Sequence, residues 1–260
     1  MNTVTITVSK FQEMVEACLK GKDYSSIFCF TEIKCDGLNF KPAGVKIFTK
    51  HRRTREKKGG GLMIGFKDDK RINMEEIKTT SNDILALEGT VRGYKMRIIL
   101  AYIDSDKRKS GKNYVRNRKI QEQIEELLEM DPETTLLCLG DLNGRMKTLE
   151  PDIETDDNGK MIEEWIPKYS LNHLNQSEDC IGTYTFDSAN GRSAIDHILT
   201  NDRLYEGFKG MHIDEDRTIL NISDHNLVRA WFKICNTLKP NWTKKKLKTI
   251  TVMKKDESLL

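Results

Sequence analysis

Apolar and polar residues alternate along residues 3–8 (TVTITV), the period of two expected of a half-buried strand. From Ser9 the spacing changes. Phe11, Met14, Val15, Cys18 and Leu19 fall on one face of a helix that Ser9 can cap and that runs to about Lys20. Residues 25–31 (SSIFCFT) predict a second strand, and a β-α-β opening with nearly continuous apolar strands favours sheets covered on at least one face by helices. Residues 45–49, 61–66, 85–91 and 94–102 predict a meander of further strands, with Arg92-Gly93 as a tight hairpin connection.

Residues 117–130 (NRKIQEQIEELLEM) give the clearest amphipathic helix, with Ile120, Ile124, Leu127 and Leu128 inward and Pro132 beyond its end. Residues 134–139 (TTLLCL) predict a buried strand that carries Gly140, Asp141, Leu142 and Asn143 to its C-terminal edge. A helix over 159–169 and strands over 183–186, 195–199, 210–213 and 227–234 complete a second strand-rich half. Beyond about Cys235 the periodicity dissolves, so one domain is expected over 1–236, followed by a lysine-rich tail or linker over 237–260.

Composition narrows the class. With 260 residues, 37% hydrophobic and 32% charged, the chain is expected to bury a core without disulfide or zinc staples. Its six cysteines are scattered without zinc spacing, and Cys29 and Cys138 lie inside apolar runs, as small buried hydrophobes do. No apolar run approaches the roughly 20 residues of a membrane helix, and the first ten residues lack a secretory layout. A nuclear or cytoplasmic, reducing location is therefore expected. Net charge is only +3 but strongly segregated: residues 50–58 (KHRRTREKK) and 107–119 (KRKSGKNYVRNRK) are basic, 239–255 is lysine-rich, and 150–164 is acidic. Basic loops suit a polyanion such as nucleic acid; the competing explanation is ordinary solvated loops.

Acidic and amide residues fall where strands end. Glu32 ends one, Asp141 and Asn143 end another, Asp196 opens a third, and Asp224-His225 precedes a fourth. A carboxylate at a buried strand end is costly unless paired, hydrogen-bonded or bound to a cation. Several together suit Mg²⁺, which takes one or two protein acids and completes its shell with water and substrate phosphate.

Thr31-Glu32, Gly59 to Ile64 (GGGLMI), Ala101-Tyr102, GDLN at 140–143, YTF at 184–186, IDHIL at 195–199 and SDH at 223–225 occur in an order and spacing that resembles the endonuclease/exonuclease/phosphatase family. The nearest likeness is to the apurinic-like endonuclease domains of non-LTR (LINE-type) retrotransposons, over about residues 3–235. The resemblance implies a DNase I-like four-layered α/β sandwich, two mixed sheets face to face with helices outside and the active site at one edge. It also implies roles. Glu32 and Asp224 match metal-site acids; Asp141 and Asn143 match the pair that places the attacking water and the scissile phosphate. His225 matches the catalytic histidine, and Asp196 the acid that holds it. Tyr102 and Thr185 match phosphate contacts. Beside them, Ser223 and Arg192 are candidate substrate contacts, Arg192 in an expected loop over 187–192.

Two assignments of the base remain open. If Asp196 holds His225 protonated, Asp141 is the better base; in the reverse arrangement His225 is the base. The chain departs from the family pattern at Ser9, where family members usually carry a metal-ordering asparagine. That substitution leaves open a weaker metal affinity, an unusual first strand or a diverged copy. Gly59 to Gly61 lacks the Lys-Ser/Thr of a phosphate loop and is expected to be a permissive backbone corner. His51, in a basic loop, is expected to contact solvent or phosphate, His173 and His212 to be ordinary, and His197 to pack or orient. The activity so implied is a Mg²⁺-dependent (Mn²⁺ can substitute) DNA endonuclease that nicks one strand and leaves a 3′-hydroxyl for a downstream reverse transcriptase domain. The alternatives are an abasic-site endonuclease, an inositol-phosphate or lipid phosphatase of the same fold, and a catalytically impaired nucleic-acid-binding remnant.

Overall fold

In the computed structural model residues 26–33, 43–51, 61–105, 112–129, 134–218 and 223–233 are described. The expected strand at 3–8, the helix at 9–20 with Ser9, Gly59 and Gly60, most of the basic loops and the 237–260 tail lie outside them. Among the described residues the first half runs β1 (Ile27–Phe30), β2 (Val45–Lys50), β3 (Leu62–Lys67), β4 (Ile72–Ile77), β5 (Ile84–Val91), β6 (Tyr94–Tyr102), α1 (Lys112–Glu129) and β7 (Thr135–Asp141). The second half runs α2 (Asp157–Lys168), β8 (Leu171–His173), β9 (Cys180–Ile181), β10 (Phe186–Ser188), β11 (Gly191–Ser193), β12 (Asp196–Asn201), α3 (Asp202–Tyr205), β13 (Phe208–Ile213) and β14 (Val228–Phe232).

The apolar central strands explain the layering, because successive side chains point to opposite faces. In β5, Ile84 and Ala86 join the cluster beneath the helices, whereas Leu85 and Leu87 join the cluster between the sheets. β6 divides the same way, with Ile99 and Ala101 toward the helices and Ile98 and Leu100 toward the facing sheet; so does β7, with Leu136 and Cys138 against Leu137 and Leu139. These strands form the middle of a six-stranded mixed sheet, β4-β5-β6-β7-β12-β8, in which only β6 and β7 are parallel. Facing it across the second core are β1-β3-β2 and β14-β13-β9, which supply Leu62, Ile64, Phe66, Met211 and Ile213. The fold is thus an α/β sandwich of facing sheets with helices outside, as the resemblance implied.

Ile120, Ile124 and Leu127 of α1 pack inward with Trp165 of α2. A buried cation adds to that seam: Arg97 pairs with Glu88 across β5–β6 and donates from its guanidinium to Leu127 O at 2.8 Å, tying α1 to the sheet. The predicted Arg92-Gly93 turn is present, both residues at positive φ (52° and 87°) between the paired Val91 and Tyr94.

Some boundaries differ from expectation. α1 begins at Lys112, five residues before the expected start at 117; polar grips, Arg116 on Asp83 and Asn117 on the Asp104 backbone, hold that end instead of apolar repeats. Residues 183–185 are not strand, and the expected loop at 187–192 is the β10–β11 hairpin, whose strands are too short to show a period. β4, β8, β9 and β11 were not foreseen. In β4 only Ile72 and Met74 are buried among charged neighbours, too few to announce a strand.

Candidate active site

The lateral register of the six-stranded sheet builds the centre of the site. Tyr102 at the end of β6 pairs in register with Asp141 at the end of β7, and Asp141 with Asp196 at the start of β12, so three strand ends present their side chains in one row. Gly140 makes that row possible. Its φ is 141°, and a Cβ there would lie 2.0 Å from Ala101 O of the neighbouring strand. Gly140→Ala is expected to cost on the order of 3 kcal/mol, seen as a fall in Tm of roughly 6–10 °C in thermal unfolding.

Glu32 enters from the other sheet. It follows β1 at φ 55°, and the next residue is pinned by Ile33 N–H donating to Gly61 O at 3.1 Å. Gly61, at φ 103°, leaves only 2.5 Å between a Cβ and Ile33 O, so it is the permissive corner anticipated and it sets the approach of Glu32. The Glu32 carboxylate hydrogen-bonds Tyr102 and adds its charge to the field at Asp141.

His225 arrives on a loop bridged to β10 through Phe186, whose ring meets the imidazole edge-on at 5.1 Å. Asn226 and Arg217 staple that loop: Asn226 N–H donates to Thr185 O at 2.7 Å, its amide to Tyr184 O at 3.0 Å, and Arg217 reaches Asp187 O and Asn226 Oδ1. So held, His225 Nδ1–H donates to Asp196 Oδ2 at 2.8 Å, while its Nε2 lies 3.9 Å from Asp141 Oδ2. On the far side Asn175 Nδ2–H donates to Asp196 O at 2.9 Å and Asn175 Oδ1 accepts from Ile198 N–H at 3.0 Å, acting as a short pseudo-strand beside β12.

The charges fix protonation. Burial disfavours the imidazolium, but the charge and hydrogen bond of Asp196, then Asp141 and Asp224, outweigh it and raise His225 to about 10. Asp141 moves up from the ordinary carboxylate range, chiefly because it is buried and then because Asp196 and Glu32 crowd it; His225 opposes that shift. Tyr102 is also raised, by burial and by Glu32 and Asp141, and stays a phenol that can donate. A cationic histidine thus stands beside a carboxylate made unusually basic. Asn143, at φ 46°, donates its backbone N–H to Asp141 Oδ1 at 3.2 Å and its side-chain amide to Ile103 O at 2.9 Å.

Six of the sequence candidates therefore converge: Glu32, Tyr102, Asp141, Asn143, Asp196 and His225. The others stand around them. Thr185 is fully buried, and its Oγ1 accepts from Ile195 N–H and Asp196 N–H at 3.1 and 2.9 Å, a support beneath Asp196. Ser223 Oγ accepts from His225 N–H at 3.1 Å and faces Asp224, which is exposed at the rim. Arg192 lies on the hairpin, its guanidinium 4.4 Å over the Tyr184 ring and its Nε 3.5 Å from Asp187. His173 has a partner that its sequence context did not suggest. Its Nε2–H donates to His197 Nδ1 at 3.0 Å and His197 Nε2–H donates to Gly144 O at 2.7 Å; burial keeps the pair neutral, pushing His173 down to about 3.

The donor set fits the expected divalent cation. Asp141, Asp196 and His225 have ligand atoms within 4.8 Å of one another, and Asp141, only 3% exposed, sits where burial, Asp196 and Glu32 disfavour its charge while His225 favours it. Asp196 and His225 are engaged with each other, and an imidazolium has no lone pair to give. Of the two acids expected at the metal, Glu32 stands with Asp141, whereas Asp224 faces solvent.

Solved structures of several proteins share the fold. The 3′ phosphatase NExo from Neisseria, bound to product DNA hairpin, is 18% identical with a TM-score of 0.65, over 90% of this chain and 97% of that one. The endonuclease domain of TRAS1, a telomere-specific non-LTR retrotransposon, is 19% identical with a TM-score of 0.62, over 86% and 92%. An AP endonuclease from Archaeoglobus fulgidus is 15% identical with a TM-score of 0.57, over 80% and 89%. No curated protein matches the chain. Among the described residues no helix is long and apolar enough to cross a membrane. The endonuclease-reverse transcriptase family matches residues 96–229, more than half of the chain and a span that holds Tyr102, Asp141, Asn143, Asp196 and His225. The chain belongs to that family.

Proposed function

We propose that the chain is a Mg²⁺-dependent DNA endonuclease of a non-LTR retrotransposon, which nicks one strand of its target and leaves a 3′-hydroxyl for a reverse transcriptase domain of a longer parent protein. The observation that carries this reading is the cationic His225–Asp196 pair beside the basic, buried Asp141. Asp141 takes a proton from water, the water oxygen attacks phosphorus, and the bond from phosphorus to the 3′ oxygen breaks as that oxygen gains a proton. His225 and Tyr102 face the charge that builds on the phosphoryl oxygens, and Asn143 orients the water or the phosphate. Mg²⁺, held by Glu32, would supply further neutralisation of that charge. Arg192, exposed on the β10–β11 hairpin beside Asp187, would contact the DNA backbone, with Ser223 and Asp224 at the rim.

Purified protein is expected to convert supercoiled plasmid to open circles whose nicks a polymerase can extend. Nicking should stop on chelation and return with excess Mg²⁺ or Mn²⁺. A panel of intact duplex, abasic duplex, 3′-phosphorylated hairpin, RNA and inositol phosphates separates the related activities. Chelator-resistant nicking, or hydrolysis confined to soluble phosphate esters, would overturn the proposal.

A further inference from the structure

Beside Asp141, three asparagine amides tie four segments together, those that carry Ile103 and Asp104, Asn117, Asn143 and Asn158. Asn143 Nδ2–H donates to Ile103 O at 2.9 Å. Asn158, in the first turn of α2, donates from Nδ2 to Asn143 O at 3.1 Å and to Asp104 O at 3.4 Å. Asn117 of α1, 6% exposed, closes the set: its Nδ2–H donates to Asp104 O at 2.8 Å and its Oδ1 accepts from Asp104 N–H at 3.2 Å. The backbones are in direct contact too. A Cβ on Gly159 would lie 1.9 Å from Arg145 O, and one on Gly144 would lie 3.0 Å from Asn158 C. Asp156, the N-cap of α2, accepts from both Gly159 N–H and Arg145 N–H on Oδ1.

We infer that Asn158 is a positioning residue for the reaction. Its amide holds the Asn143 carbonyl, and with it the left-handed backbone that keeps Asn143 N–H on Asp141 Oδ1. Left-handed conformations of non-glycine residues cost of order 1–3 kcal/mol and persist only where their surroundings impose them. Among the described residues, Asn158 and Ile103 grip Asn143 from outside its own loop. This inference rests on the nuclease reading for its kinetic test, though not for its structural one.

Asn158→Asp separates positioning from a role in helix stability. A carboxylate loses the donor and turns its oxygens on the Asn143 and Asp104 carbonyls, while the helix N-terminus favours its charge, so Tm is measured beside the kinetics. Asn158→Ala removes the donor without adding charge. Both variants are expected to lower kcat for plasmid nicking about 10-fold, with KM for DNA within about twofold of the wild type. Asn158→Gln, with its amide on a longer arm, should recover part of the loss. In parallel, amide hydrogen exchange over residues 142–145 should speed up about 10-fold in both donor-lacking variants, while β7 exchanges as before. Faster exchange in a protein that cuts no DNA would sink the nuclease reading and leave the positioning role standing. Unchanged exchange would overturn the positioning role, and so would a rise in KM at constant kcat, which would place Asn158 on the DNA.

Discussion

Asp141→Asn is expected to lower the nicking rate by about 10³-fold or more and, in the absence of divalent cations, to make the protein more stable at neutral pH. Both effects come from one arrangement. Asp141 is buried at a strand end beside Asp196 and Glu32, and its carboxylate is held above its ordinary range by burial first and by those charges second. The unfolded chain ionises this group freely above about pH 4, whereas the folded protein resists. The folded state is therefore penalised as pH rises through the ordinary range and is not penalised below it. An amide of the same shape removes the penalty while Oδ1 can still accept from Asn143 N–H. A gain of about 1–2 kcal/mol, or roughly 2–6 °C in Tm, is expected near pH 8. The gain should vanish near pH 3, where both proteins are neutral at this position, and shrink when Mg²⁺ relieves the wild type. Equal melting temperatures at pH 8 without metal would mean that Asp141 is not under strain and is not the poised base.

The strand-end acids could be found in the sequence because an apolar run stopping at a charge is a local signal, and 134–139 followed by Asp141 is a clear case. That Tyr102, Asp141 and Asp196 share one row is a property of register, which the spelling of separate blocks does not contain. Thr185 shows the limit of a motif: it lies beneath Asp196, and its hydroxyl faces inward, toward the backbone of Ile195 and Asp196. The supports were silent for another reason. Asn158, Asn175, Asn226 and Arg217 act through backbone oxygens or amides 15 to 42 positions away in several cases, and such bonds impose no period on the chain. In the sequence the acidic run at 150–164 reads only as charge. Two of its members brace the site instead: Asp152, with a side chain 4% exposed, accepts from Ala194 N–H just before β12, and Asp156 caps α2 against Arg145.

Asp196→Asn is expected to reduce the rate by about 10²–10⁴-fold and, more tellingly, to displace its pH dependence. In the wild type burial disfavours the imidazolium, and the Asp196 charge and hydrogen bond lead the opposing influences that raise His225 to about 10. A histidine raised in this way contributes stability that is fully present below about pH 6.5 and is lost as pH rises through about 10. If the cation is what the reaction uses, wild-type activity should hold through neutrality and fall as pH passes about 10. Asp196→Asn keeps an acceptor for Nδ1–H but removes the leading charge, so burial gains ground and the alkaline fall should move toward neutral pH. If neutral His225 were instead the base, wild-type activity would rise only toward pH 10, and the same substitution would extend activity to lower pH. The two assignments thus predict displacements of opposite sense in a pH–rate profile. The charges of Asp196, Asp141 and Asp224 together favour the first, because they outweigh burial, raise His225 to about 10 and so keep Nε2 protonated at neutral pH.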